Sequence, residues 1–268
     1  MSKLAQAVAA TIALASASTT WALNDERQIV KTLQGAINAI GMVRGKTPQG
    51  TWVGGAVVIA QNDCFVAATT AGHNIIDGAG NPTAELSQIT LNVSNYQLEV
   101  LEAHTDPDHP STTPPEHDWA VIIARKPSCN LELAVIEPRS FKQATIPKTG
   151  MPVALACYHH DRPSLQNQLS RQDCTLYRPG RQFDGLYANK AGDPVGLHSC
   201  TAKLGTSGCP LIVKDRGQLH FIGTQIEAHY ASGAGVARLF DDRYHRAYLM
   251  AVERMQRLDL ELGRITAN

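Results

Sequence analysis

Leu204-Gly205-Thr206-Ser207-Gly208-Cys209-Pro210-Leu211 sets one serine in a glycine-rich turn just ahead of an apolar run. Glycine costs backbone entropy, so glycines around a serine need a reason. One reason is a tight turn that exposes the hydroxyl and points the N–H groups of Gly205 and Ser207 inward, as donors to an oxyanion. A serine hydroxyl does not attack unaided. It needs a base, and the base needs a group to orient it.

Two segments upstream supply those groups. Ala67-Ala68-Thr69-Thr70-Ala71-Gly72-His73 is a strand of small residues that ends in a histidine. Small residues allow a second lobe to approach closely, and an imidazole ionises near neutrality, as a general base must. His117-Asp118-Trp119-Ala120-Val121-Ile122-Ile123 puts a carboxylate directly before a buried-type strand. Asp118 there is shielded and can accept the Nδ1 proton of His73. The candidate catalytic set is therefore Ser207 as nucleophile, His73 as base and Asp118 as orienter, with the amides of Gly205 and Ser207 as the oxyanion hole.

Outward from these segments the chain has a β texture. Apolar runs at 56–60, 64–70, 86–93, 96–103, 119–124, 131–136, 153–157, 174–177, 210–213 and 219–226 are short, with Gly, Pro, Asn and Asp between them. That pattern predicts an all-β sandwich or barrel architecture. Residues 104–117 read as a polar loop. Two helices are expected at the ends. Asn24 can cap a run in which Ile29, Leu33, Ile37 and Ile40 recur at helical spacing, and Gly41 and Gly45 then break it. Residues 242–262 carry an apolar face of Tyr248, Leu249, Val252, Met255 and Leu258.

Composition narrows the class. Of 268 residues, 43% are hydrophobic, enough for a sizeable core. Lys and Arg number 24 and Asp and Glu 24, so net charge gives no reason to expect nucleic acid or an anionic membrane as partner. Residues 1–22 read as a secretory signal peptide: Lys3, an uncharged stretch from Leu4 to Ala15, then Ala15-Ser16-Ala17, with Ala22 as a second cleavage point. The stretch is short for a membrane span, so the mature protein is expected without membrane insertion, secreted or periplasmic. Six cysteines, at 64, 129, 157, 174, 200 and 209, suit an oxidising compartment. Their spacing has no C-x-x-C and no tight Cys/His cluster, so a zinc site is not expected, and the chemistry of Ser207, His73 and Asp118 implies no metal or organic cofactor. Many disulfide connectivities remain open at this point.

The three segments together resemble those of the chymotrypsin-like serine peptidases, in the order His, Asp, Ser. Ala71-Gly72-His73 resembles that family's strand ending in Ala-Ala-His. His117-Asp118-Trp119-Ala120-Val121 resembles its Asp-Ile-Ala-Leu segment, and Gly205 to Pro210 its Gly-Asp-Ser-Gly-Gly-Pro. The intervals of 45 and 89 residues also fit. The resemblance runs from Trp52 to Phe240 and is nearer to bacterial exported members, including the glutamyl-endopeptidase-like group, through His198-Ser199-Cys200 and Tyr158 to Pro163. It implies two six-stranded barrels, here over residues 51–145 and 146–268, with residues 23–50 as helix and linker. It also implies a Cys174–Cys200 disulfide and a polypeptide substrate cleaved through an acyl-enzyme.

Departures from the family pattern matter. Thr206 stands where digestive members carry the Asp that pairs with a new N-terminus, so that route of activation is not expected. Cys209 replaces a glycine beside the nucleophile, and His73 is not followed by Cys. The resemblance assigns the substrate pocket to Thr201, Ala202, Gln225 and Glu227. Position 201 is not acidic, so a trypsin-type pocket is absent. Glu227, if it faces inward, would favour Arg or Lys by a charge-assisted bond. His198, whose segment precedes the nucleophile loop, is a further substrate-side candidate, and if Thr201, Gln225 or His198 dominates, a small, polar or acidic residue is expected instead. Two alternatives stay open on sequence: a catalytically silent binding homologue, and an esterase-like hydrolase using the same three residues.

Overall fold

The computed structural model describes residues 26–31, 35–77, 79–108, 115–159, 161, 163–165, 167–179, 193–203, 205–229 and 234–266. The expected signal peptide and Asn24 lie outside them, as do His109, His160 and Leu204.

Two closed antiparallel barrels and one helix make up the described chain. The first barrel joins β2 (Ile40–Thr47), β3 (Gly50–Gln61), β4 (Phe65–Thr70), β5 (Ile89–Val93), β6 (Tyr96–Thr105) and β7 (Ala120–Arg125) in the order β2-β3-β4-β7-β6-β5. The second joins β8 (Met151–Tyr158), β9 (Leu169–Tyr177), β10 (Val195–His198), β11 (Pro210–Asp215), β12 (Gln218–His229) and β13 (Ala234–Leu239). It runs β9-β10-β13-β12-β11-β8 and closes through the β8–β9 pairing, while the two-residue β1 (Gln28–Ile29) borders β9. Alternation of buried and half-buried residues along β5 is the mark of a strand with one wet face. All six residues of β4 are buried, so both its faces are covered.

The cover on β4 explains the last element. Helix α1 (Asp242–Thr266) follows the second barrel, yet packs against β4 and β7 of the first. Its Tyr244, Ala247, Ala251 and Met255 are buried in the same core as Val66, Ala68, Ile122 and Ala124. Closing a barrel leaves no sheet edge to attract another chain, and the helix hides the remaining apolar face.

The N-terminal helix expected over 24–40 is a correction. Where the chain is described there, it forms β1, a 3-10 turn at Gly35–Ala39, and β2. Gly35 has a φ of +61°, which interrupts helix geometry. Ile40 and Val43 are fully buried because they fill the first barrel, whose pairing satisfies the backbone better than an isolated short helix. Gly41 and Gly45 therefore lie within a strand, and the first barrel begins at Ile40 rather than at residue 51. The run 131–136 is also not a sheet strand. It is a connector whose Ile136 N–H donates to Val58 O (3.0 Å), before Arg139 and Phe141 donate to Phe221 and Phe240 of the second barrel (2.8 Å each). Strands β10 and β13 had no signal of their own in the apolar runs.

Three disulfides join Cys64 to Cys129, Cys157 to Cys209, and Cys174 to Cys200. The third is the pair that the family resemblance implied. No helix among the described residues is long and apolar enough to cross a membrane.

Candidate active site

Strand register brings the first two candidates together. β4 and β7 are neighbours, with Thr70 opposite Ala120. The residues just after Thr70 and just before Ala120 must then emerge at the same barrel end. His73 follows in a 3-10 turn, Gly72–Asn74, and Asp118 follows another, Pro115–His117. Asp118 Oδ2 lies 2.7 Å from His73 Nδ1, and its Oδ1 accepts the His73 backbone N–H at 2.9 Å. Both carboxylate oxygens thus engage His73, which sets the ring's position and places the proton on Nδ1. Burial works against charging the His73 ring. The hydrogen bond and the negative charge of Asp118, with the charge of Glu227 added, outweigh it and raise the ring above its ordinary value.

Ser207 arrives from the other barrel, and its backbone is clamped into the seam. Its carbonyl accepts from the Gly55 N–H (2.7 Å) and from Asn74 Nδ2 (3.1 Å). Asn74, the residue after His73, also donates to Thr70 Oγ1 (2.9 Å), which donates on to Gly55 O (2.7 Å). The seam is too tight for side chains. A Cβ on Gly208, whose φ is +93°, would lie 2.1 Å from Gly55 O, and a Cβ on Gly55 would lie 2.2 Å from Cys209 Sγ. Behind the turn, the Cys157–Cys209 disulfide ties it to β8. The buried Thr206 donates to Lys203 O (2.7 Å) and accepts from the Lys203 N–H (3.2 Å), so it closes the loop locally.

The Ser207 hydroxyl points to Ile226 O at 3.4 Å, a long bond, and among the described residues it makes none to His73. Also among the described residues, the N–H groups of Gly205 and Ser207 have no hydrogen-bond partner, while those of Thr206, Gly208 and Cys209 do. Gly205 takes a φ of +88°.

The four pocket candidates fall in different settings. Thr201 is half-buried, its N–H held by Gln172 Oε1 at 2.7 Å, and Ala202 is buried. Gln225 is buried and its amide is fully engaged: Nε2 donates to Glu227 O (2.6 Å), and Oε1 meets His198 Nε2. Glu227 is exposed. His198, read from the sequence as a substrate-side residue, is completely buried. Burial pushes it down to about 4 against the opposing Gln225 bond, so it is neutral. Gln225 turns its oxygen toward it, so His198 carries its proton on Nε2.

No protein-family model matches this chain, and no curated protein sequence matches it either. Solved structures do. The chain is similar to a Glu endopeptidase (TM-score 0.65, 14% identity, covering 85% of this chain and 97% of that one). It is similar to the thermostable serine protease AL20 from an extremophilic microorganism (TM-score 0.60, 18% identity, 80% and 96% covered). A third likeness is to the protease Anisep from Arthrobacter nicotinovorans (TM-score 0.60, 12% identity, 81% and 97% covered). The fold is the chymotrypsin-like fold. Its neighbours among solved structures are serine proteases, and a Glu endopeptidase is one of them.

Several parts of this site carry no motif. Asn74 and Gly55, which hold the Ser207 carbonyl, are ordinary residues in sequence. Asn74 directly follows the candidate base, which is the one local cue.

Proposed function

We propose that this chain is an exported serine endopeptidase acting through an acyl-enzyme on Ser207. The observation that carries the reading is the His73–Asp118 pair, held by two hydrogen bonds, with the Ser207 backbone anchored on the residue next to His73. Ser207 Oγ attacks the scissile carbonyl. His73 Nε2 takes the hydroxyl proton and later delivers it to the leaving amine. Asp118 holds the Nδ1 proton and stabilises the imidazolium that forms. The amides of Gly205 and Ser207, without partners among the described residues, receive the oxyanion. Water then deacylates the enzyme, with His73 as base again. Rotation about the Ser207 χ1 bond releases the hydroxyl from Ile226 O, whose long bond offers little resistance.

The substrate is a polypeptide. Thr201 and Ala202 line the pocket, Glu227 forms its charged wall, and Gln225 stands behind that wall as its support rather than touching the substrate. The acidic wall favours a basic side chain at the cleaved residue. Export rests on the residue 1–22 leader and on three disulfides, which suit an oxidising compartment.

The test is digestion of a mixed peptide library by purified mature protein. The expected result is internal cleavage enriched after Lys or Arg, absent from Ser207→Ala. Cleavage of simple esters with intact peptides would move the assignment to an esterase. Cleavage surviving in Ser207→Ala would remove Ser207 from the mechanism.

A further inference from the structure

Both flanks of Asp118 are held by groups that belong to the far end of the chain. On the upstream side, Arg238 Nε donates to Glu116 O. Arg238 is a β13 residue and only 1% exposed. Its other nitrogens donate to Leu239 O, to Pro194 O (3.4 Å) and to Asp241 Oδ1 (2.9 Å). A buried guanidinium is costly unless every donor is used, and here it joins a first-barrel turn to the second barrel. Asp241 Oδ1 also accepts the Tyr244 N–H (2.9 Å), so the same carboxylate caps α1.

On the downstream side, the Trp119 ring stacks on the buried Tyr244 ring, with centroids 4.8 Å apart. Tyr244 OH in turn reaches Thr224 Oγ1 (3.2 Å) on β12, two residues before Ile226. Trp119 Nε1 donates to the buried Asp106 Oδ2 (3.0 Å), which also lies 3.2 Å from His117 Nδ1. Arg243, in the first turn of α1, closes the ring of contacts by pairing with Asp106 Oδ1 (2.7 Å) and Asp108 Oδ2 (2.6 Å). Residues 116, 117 and 119 are therefore all tied, directly or through Asp106, to β13 or α1. Asp118 is the one left to face His73.

We propose that Arg238, Arg243 and Tyr244 are positioning residues for Asp118: the second barrel and its helix set the carboxylate that orients the base in the first. The proposal rests on the Ser207–His73–Asp118 reading above for its catalytic meaning. Its structural content is independent of turnover. It explains why the terminal helix returns across the seam onto β4 and β7, the two strands that present His73 and Asp118. A misplacement of about 1 Å at such a carboxylate costs up to ~100-fold in rate, so a brace of this kind has a measurable effect.

The test uses full-length mature protein, with Arg243→Gln at the half-exposed end of the network and Arg238→Met at its buried centre. Arg238→Lys retains the charge without the fork. Two signals are read. One is the low-field proton of His73 Nδ1–H, with the ring's titration, by 15N-edited NMR. The other is the rate of fluorophosphonate labelling, split into affinity and maximal rate. Among the described residues, the charges acting on His73 are those of Asp118 and Glu227. Loosening Asp118 leaves Glu227 in place, so the expected result is a weakened low-field proton and a His73 titration moved to lower pH, not abolished. Maximal labelling should fall about tenfold in Arg243→Gln and about a hundredfold in Arg238→Met at unchanged reagent affinity, with partial recovery in Arg238→Lys. If Arg238→Met does not fold, Arg243→Gln decides alone. An Arg243→Gln protein with the wild-type low-field proton and titration overturns the proposal. The NMR signals read the His73–Asp118 pair in a protein that labels or in one that does not, so a silent wild type contradicts the peptidase reading and leaves this test intact.

Discussion

The two barrels contribute to the site in opposite ways. The first supplies His73 and Asp118 from the ends of paired strands, β4 and β7, and their contact is complete: two hydrogen bonds, at 2.7 and 2.9 Å. The second supplies Ser207 from a loop, and there the Ser207 backbone is clamped while its hydroxyl makes one long bond. The Ser207 carbonyl is clamped by Gly55 and Asn74, the far side of the loop by Cys157–Cys209, and the hydroxyl turns to Ile226 O instead of His73. The His73–Asp118 contact is built into a sheet register, whereas the placement of Ser207, the proposed nucleophile, depends on how two barrels meet. Sheet register resists small changes. A barrel seam filled by glycines does not.

Variants break this comparison on one side or the other. The largest effect is expected from Ser207→Ala, which removes the proposed nucleophile and should lower turnover by about a millionfold without moving the melting temperature, measured by calorimetry beside the peptidase assay. Next comes Asp118→Asn, which leaves the seam alone but removes the carboxylate's hold on the Nδ1 proton. It should lower kcat by roughly ten-thousandfold, with the fold intact by circular dichroism. Gly208→Ala attacks the seam instead. Its new Cβ would sit 2.1 Å from Gly55 O at a φ of +93°, and it should destabilise the protein by about 2–4 kcal/mol in urea unfolding. The inter-barrel clamp, not the His73–Asp118 pair, should be what fails.

The smallest effect is a shift in pH dependence. His73 must be neutral to accept a proton. Asp118 and Glu227 hold its ionisation above the ordinary histidine value despite burial. Activity should therefore rise with pH through a midpoint above that value. Removing the negative charge in Glu227→Gln makes the imidazolium less favourable and moves the rising limb to lower pH. The kcat/KM profile measures it, and the same variant should lose any preference for Lys or Arg at the cleaved residue.

How much of this was legible in the sequence varied with the physics behind each part. The β class was plain from short apolar runs punctuated by turn residues. The terminal helix was legible from its apolar residues, but its buried face is Tyr244, Ala247, Ala251 and Met255, and Leu249 of the expected face is exposed. The order of the His, Asp and Ser segments carried the barrel pair through its resemblance to a known family. The N-terminal helix misled because Ile29, Leu33, Ile37 and Ile40 keep helical spacing, while a barrel that needs Ile40 and Val43 in its core overrides that periodicity. Strands β10 and β13 were hidden for a related reason. Val195–His198 is only four residues long, and Ala234–Leu239 mixes Gly, Ala and a buried Arg238, so neither reads as an apolar run. Arg238 has no motif at all. Its meaning comes only from the Glu116 carbonyl, 122 residues away, that folding brings to it. The same holds for Gln225. As a residue near the nucleophile it reads as pocket lining, yet its amide faces a buried neutral His198 and the Glu227 backbone.

Fluorophosphonate labelling followed by peptide mapping tests the central claim most directly, with wild type, His73→Ala and Ser207→Ala compared across pH. One adduct is expected, on Ser207. Its rate should rise as His73 deprotonates, collapse in His73→Ala and vanish in Ser207→Ala. Folded wild-type protein, with its three disulfides intact, that takes no label at any pH would contradict it, as would Ser207 labelling at an undiminished rate in His73→Ala.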